Sequence, residues 1–299
     1  MITASQPLTL SELLVRSGIA PEEVLVFRHR PWEPKLNRAF DWIVAERRDL
    51  FDCYQDSHAP RTEAALLRAR YVASFIRHGS GSALFVGLYE RRDQMVMPER
   101  EYRARPLHQE LMKLGMSGDF SVKDGRDTVM VFDLVDTQWH AEWSGCLAIK
   151  WPGLERSWYR WADRNSFEVT AIAPQSMLVA PLPSWDELVL KWAELSVIPT
   201  HWRSAIAQWR GIYLITDGSD NRHYIGSASG TENILQRWLD YAKTGHGGNK
   251  HLRARKPENF RFAILQLVAP DLPKADVEKL EQKWKARLGT TYPHGLNGN

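Results

Sequence analysis

Gly211-Ile212-Tyr213-Leu214-Ile215, then Asp217-Gly218-Ser219-Asp220, then His223-Tyr224-Ile225-Gly226-Ser227 is the stretch that decides how this chain is read. Two short runs rich in β-branched and aromatic residues flank a cluster of Asp, Gly and Ser. Asp and Ser side chains hydrogen-bond to the backbone of a turn, and Gly accepts positive φ, so the pattern predicts a β-hairpin. Ser229 and Glu232 stand at capping-box spacing and predict a helix running through Ala242 and stopping at Gly245. Asn259 to Val268 reads as a third strand. Pro273 suits a first helical position, and Val277, Leu280, Trp284 and Leu288 share one face of the helix that Gly289 ends. The order strand–turn–strand–helix–strand–helix predicts a small antiparallel sheet flanked by helices.

Upstream the pattern changes. Residues 1–78 read as largely helical, with apolar residues at helical spacing over Leu36–Val44 and again from Ala64 to Ile76. Gly79-Ser80-Gly81-Ser82 is a flexible breaker. Four short apolar runs follow, at Ala83–Tyr89, Thr128–Val135, Cys146–Trp151 and Phe167–Ile172, and predict a small barrel or strongly curved sheet. Pro181-Leu182-Pro183-Ser184 reads as a linker. Ser184 and Glu187 form another capping-box pair before a helix from Trp185 to Leu195, and a second helical piece runs from Trp202 to Trp209. The expected fold class is α+β: a module over 1–180, a helical linker over 181–208, and a last domain over 209–299.

Composition narrows the function classes. The chain has 299 residues, 43% hydrophobic and 25% charged, the balance of an ordinary globular protein of about two domains. No apolar run approaches the roughly 18–20 residues of a membrane span, and no basic stretch followed by an apolar core marks the N-terminus as a secretory signal. Cys53 and Cys146 are the only cysteines, which excludes a disulfide scaffold and fits a reducing cytoplasm. The ten histidines show no paired zinc pattern. From Trp202 onward there are 15 Lys and Arg against 9 Asp and Glu, whereas residues 1–201 hold 24 and 27. The basic third points to a polyanionic partner.

The spacing of Gly211-Ile212-Tyr213 and Tyr224-Ile225-Gly226, with ten residues between the tyrosines, resembles the GIY-YIG nuclease family. Arg237 and Tyr241 in the following helix, Glu281 in the last helix and Gly295-Leu296-Asn297 extend the likeness over residues 209–299. So does the phrase Tyr241-Ala242-Lys243-Thr244-Gly245-His246-Gly247-Gly248-Asn249-Lys250, which is similar to a bacterial restriction-like branch. The resemblance implies phosphodiester hydrolysis on one divalent metal, Mg²⁺ or Mn²⁺, held by Glu281. It implies Tyr213 as general base, Tyr224 as its partner in positioning water, and Arg237 as a fork of donors on the phosphate. A tyrosine base has an ordinary pKa near 10 and needs positive charge nearby, from the metal–phosphate site, Arg237 or Lys250. Tyr241 shares the helix face of Arg237, and Asn297 braces the site.

Each residue also has a structural reading. Tyr213 and Tyr224 serve equally as strand aromatics, Glu281 as the i,i+4 partner of Lys285, and His246 and His251 as solvent-facing residues. Glu278, one turn before Glu281, is a competing ligand outside the matching phrase.

In the first module, ALFVGLY at residues 83–89 and Trp151-Pro152-Gly153-Leu154-Glu155-Arg156-Ser157-Trp158-Tyr159-Arg160-Trp161 resemble the PUA-like superfamily of small barrels, over about 80–175. That resemblance implies reading of a modified base. Trp151, Trp158 and Trp161, with Tyr159, Arg156 and Arg160, supply stacking faces and donors for a flipped base; equally, the tryptophans fill a barrel core. Together the resemblances imply an endonuclease on double-stranded DNA, triggered by modified cytosine, in restriction or phage defence. A homing, repair or structure-specific nuclease, an RNA substrate and a non-catalytic nucleic-acid-binding protein stay open. One catalytic domain per chain implies a homodimer for double-strand cutting.

Overall fold

The computed structural model describes residues 7–117, 125–153 and 157–298. The chain divides into two compact units, Met1–Ala180 and Pro181–Asn299. Arg156 and the N-terminal Met1–Gln6 lie outside the described residues. Among the described residues no helix is long and apolar enough to cross a membrane.

The first unit is built on a seven-stranded sheet. Helix α1, Leu10–Arg16, starts at a capping box in which Thr9 and Glu12 satisfy each other's backbone N–H. Strand β1, Val24–His29, has all six residues buried. The helices α2 (Pro34–Glu46), α3 (Arg48–Gln55) and α4 (Pro60–Leu66) then lead to β2, Tyr71–His78, which pairs parallel to β1. A parallel pair needs such a crossover, and a strand covered on both faces reads as one continuous apolar run. This corrects the expectation of a helical 1–78: β1 is too short to show a period of its own, and β2 lies partly inside the run assigned to a helix.

Gly79 and Gly81, both at positive φ, turn the chain into β3, Ser82–Pro98. Its first part pairs with β2 and with β5, Leu147–Lys150. Its second part pairs with β4, Thr128–Asp136. Helices α5 (Glu99–Ala104) and α6 (Pro106–Lys113) follow β3, and β6 (Tyr159–Trp161) and β7 (Val169–Ile172) complete the sheet. The order is β6-β1-β2-β3-β5-β7, so among the described residues the sheet is open at β6 and β7. Its core includes Val26, Phe75, Phe85, Ile149, Trp151 and Phe167.

The second unit has a four-stranded antiparallel sheet, β10-β9-β11-β8, formed by β8 (Val189–Lys191), β9 (Arg210–Asp217), β10 (His223–Ala228) and β11 (Phe260–Val268). Its helices are α7 (Thr200–Ile206), α8 (Ile234–Thr244), α9 (Lys250–Arg253) and α10 (Lys274–Leu288). Side chains alternate faces along a strand. Tyr213 and Ile215 of β9 therefore pack with Trp238 and Tyr241 of α8, while Ile212 packs with Val277 of α10.

Three local expectations are corrected. Residues 185–195 are not a helix: a turn closes on the Ser184 carbonyl, then β8 pairs with β11 and a 3₁₀ helix covers Trp192–Val197. Pairing with the sheet edge, with Leu190 buried, overrides the capping signal. Helix α8 is capped by Asn233, whose side chain accepts from the Gln236 N–H at 2.8 Å, and not by Ser229. The Ser229 segment is spent on a turn through Gly230 at φ 62°. Pro273 sits at the N-cap of α10, one position earlier than expected, and Gly289 ends that helix at positive φ.

Candidate active site

The hairpin positions the first tyrosine. Tyr213 is fully buried, and its hydroxyl stands 3.2 Å from that of Tyr241 and 3.4 Å from Nε of Arg237. Arg237 and Tyr241 are four residues apart on α8, so both reach the same side of the helix. The Tyr241 ring also meets Tyr224, half-buried on β10, edge to face with centroids 6.4 Å apart. The structure therefore brings Tyr213, Tyr224, Arg237 and Tyr241 together. Glycine makes the room: a Cβ on Gly226, which faces Tyr213 in the strand register, would overlap the Tyr213 phenol, and one on Gly247 would press on the Tyr241 ring.

Burial is the largest influence on the Tyr213 hydroxyl and pushes its pKa above the ordinary tyrosine range, with Tyr224 adding to it. Arg237 and the hydrogen bond from Tyr241 act in the opposite direction without reversing it. Tyr213 is thus protonated here, with two donors already set to stabilise a phenolate once further positive charge arrives.

Asn297 is 2% exposed and clamps the middle of β10. Its Oδ1 accepts from the Ile225 N–H at 2.9 Å and its Nδ2 donates to the Ile225 carbonyl at 2.7 Å. Because β10 is an edge strand, these bonds satisfy groups that no further strand covers. Tyr224 and Gly226 flank the clamped residue, so Asn297 sets the strand that carries both.

Glu281 reaches the same strand from α10. Its Oε2 accepts a short hydrogen bond from Ser227 Oγ, and its Oε1 lies 2.6 Å from Lys285 Nζ. The Lys285 and Glu281 side chains are only 14% and 18% exposed, so this is more than the open surface pair of the structural reading. Ser227 was not foreseen, although its alternation with Ile225 along β10 places it toward α10. Among the described residues no group of three or more His, Cys, Asp or Glu side chains could hold a metal. A lone carboxylate beside a hydroxyl is a hard-oxygen set that fits Mg²⁺, which keeps most of its positions for water and phosphate. Glu281 would hold it after exchanging Lys285.

Other candidates stand apart from this network. Lys250 is exposed at the start of α9. His246 Nδ1 accepts from the Gly248 N–H and closes its own loop, and His251 stacks on Tyr292. The hairpin turn is fastened by a cluster the sequence did not reveal: Arg255 Nη1 bridges Asp217 at 2.7 Å and Asp220 at 2.8 Å.

Residues 210–293 match the GIY-YIG catalytic domain. The GIY-YIG segment thus contains Tyr213, Tyr224, Arg237, Tyr241 and Glu281, while Asn297 lies just beyond it. Similar solved structures are the catalytic domain of intron endonuclease I-TevI in a mutant form and the catalytic domain of homing endonuclease I-TevI. Each is 25% identical with a TM-score of 0.25; each covers 30% of this chain, and 92% and 98% of their own lengths are covered. No curated protein sequence matches the chain.

In the first unit the proposed tryptophan group is split. Trp151 is a correction: it is 3% exposed, packs on Phe167 in the core and donates its indole N–H to the Ser157 carbonyl. An apolar ring with its one donor satisfied has no spare face for a ligand. Trp161 is half-buried on β6 under the guanidinium groups of Arg68 and Arg164. Trp158 alone of the three lines a cavity of the first unit, beside His29 and His58.

Proposed function

We propose that this protein is a divalent-metal-dependent DNA endonuclease of restriction or phage-defence type, in which the first unit, a PUA-like reader, recognises modified cytosine. The observation that carries the nuclease reading is the Tyr213 hydroxyl held between Arg237 and Tyr241 inside a segment matching the GIY-YIG catalytic domain. In this reading Tyr213 loses its own proton to solvent once further positive charge arrives at the site, and as a phenolate it accepts the proton of the attacking water, which Tyr224 positions. Arg237 meets the charge that develops on the phosphate, where pre-set donors are most effective. Glu281 would hold the metal, which would supply positive charge at the phosphate, and Asn297 keeps β10 in register. Tyr241 orders the two tyrosine hydroxyls, and Lys250 contributes to backbone binding. Trp158 supports a base-reading role for the first unit because it forms a wall of the cavity there. Two chains would act together to cut both strands, in the cytoplasm.

The test is cleavage in Mg²⁺ of matched duplexes carrying unmodified, 5-methyl-, 5-hydroxymethyl- or glucosylated cytosine. Glu281→Ala serves as control. Cutting confined to one modified form is expected. Equal cutting of all four would remove the modification claim and leave the nuclease. No cutting above the control would remove both.

A further inference from the structure

The Glu281 carboxylate meets two unlike partners. From β10, Ser227 donates its hydroxyl to Oε2; from the next turn of α10, the Lys285 ammonium lies 2.6 Å from Oε1. Both oxygens are therefore engaged, and the Glu281 and Lys285 side chains are mostly covered. Ser227 is half-buried and stands opposite Ile212 in the strand register. Two residues before it lies Ile225, whose N–H and carbonyl are both held by Asn297. The hydroxyl thus has a fixed base: a short side chain on a strand that is pinned beside it.

The two partners answer an incoming divalent cation differently. An ammonium repels it and sits on a long flexible stem, so it can leave. A hydroxyl is neutral, and by donating to one carboxylate oxygen it leaves the lone pairs of the other untouched. Orientation matters because Glu281 has little company: among the described residues no group of three or more His, Cys, Asp or Glu could hold a metal. The last torsion of a glutamate is broad, and fixing the side chain costs rotamer freedom. A group that orients the carboxylate in advance lifts that cost from metal binding, which is why hydrogen bonds to a ligating carboxylate matter.

We propose that Ser227 is a positioning residue for the metal-binding carboxylate: its hydroxyl holds Glu281 Oε2 and leaves Oε1, the oxygen beside Lys285, as the one offered to the metal. This rests on the nuclease reading above, in which Glu281 holds the metal. The two partners of one carboxylate then act in opposite directions. Lys285 competes for Oε1, so its removal tightens metal binding. Ser227 prepares the same oxygen, so its removal weakens metal binding. If Ser227 merely drew on the charge of the carboxylate, losing either partner would free an oxygen and tighten binding in both cases.

The test is calorimetric titration of the full chain with Mn²⁺ alone, without DNA, beside thermal melting of each variant. Ser227→Ala is expected to bind Mn²⁺ about tenfold more weakly, the lower range for removing a group that orients a metal ligand. Ser227→Val, with the shape of threonine but no hydroxyl, should weaken binding likewise, so either apolar variant suffices if the other fails to fold. Ser227→Thr keeps the hydroxyl, suits a strand and should bind like the parent. Unchanged or tighter binding by a folded Ala or Val variant overturns the inference. So does a Thr variant that binds as weakly as the Val variant, since the loss then follows shape and not the hydroxyl. In either case, loss of Mn²⁺ binding in Glu281→Ala leaves the metal assignment standing. Parent binding no tighter than that of Glu281→Ala overturns the metal assignment and the inference together.

Discussion

Replacing Asn297 with alanine should destabilise the second unit by about 2–4 kcal/mol. The side chain is buried and makes two hydrogen bonds, at 2.9 and 2.7 Å, with the backbone N–H and carbonyl of Ile225, which is itself fully buried. The substitution leaves both backbone groups without partners on an edge strand. Each unmet buried group costs about 1–3 kcal/mol, and partial water access keeps the pair below the upper sum. A domain of about 100 residues loses roughly 4–8 °C of melting temperature per kcal/mol, so the expected drop is about 10 °C or more. The two units need not unfold together, so calorimetry should be paired with hydrogen exchange at the Ile225 amide. Asn297→Asp keeps an acceptor for the Ile225 N–H but faces the carbonyl with a carboxylate, and it should melt no higher than the alanine variant. An alanine variant melting within about 2 °C of the parent, with Ile225 still protected, would refute the clamp.

Three further outcomes follow from the same geometry. Lys285→Ala removes the ammonium that sits 2.6 Å from Glu281 Oε1. A competitor of about 1 kcal/mol is lost, so calorimetric titration should show Mn²⁺ binding roughly fivefold tighter; unchanged or weaker binding contradicts the exchange. Gly226→Ala drives a Cβ into the Tyr213 phenol and should lower cleavage sharply with DNA binding retained, at an overpacking cost of about 1–3 kcal/mol; full activity would show that the ring can yield. For Asp217, burial disfavours the charge, but Arg255 and Ser219 outweigh it and hold the carboxyl below its usual 3.8. Its contribution to stability is therefore complete above that value and is lost as pH falls through the lower folded value. The melting temperature of Asp217→Asn should fall less steeply with acid than the parent's, and parallel curves would contradict this.

The second unit was the more legible half because its signals are local. The hairpin from Gly211 to Ser227 carries its turn chemistry in adjacent residues, and α10 shows its apolar face at regular spacing. Helix α8 was misplaced at its start because two cap signals, Ser229 and Asn233, lie four residues apart and only the turn at Gly230 decides between them. Strand β8 was hidden because its three residues become a strand only by pairing with β11. Of the candidate site, the tyrosines, Arg237, Glu281 and Asn297 were named by the family resemblance of the sequence. Ser227 and the Arg255 bridge could not be, since both depend on contacts made across the fold. The cavity of the first unit was out of reach for the same reason. Its histidines come from β1 and from the segment after α3, and its aromatic wall from residue 158, so no window of sequence contains them together. Trp151, seven residues from Trp158, meets Phe167 in the core, whereas Trp158 meets the imidazoles of His29 and His58.

The most direct test of the central claim is single-turnover cleavage of a DNA duplex cut by the parent chain, in Mg²⁺, comparing the parent with Tyr213→Phe. The substitution removes one hydroxyl and keeps the ring that fills the core. The account predicts loss of cleavage by about 10²-fold or more, the lower range for a positioned acid or base, with duplex binding unchanged. Cleavage at the parent rate would contradict it.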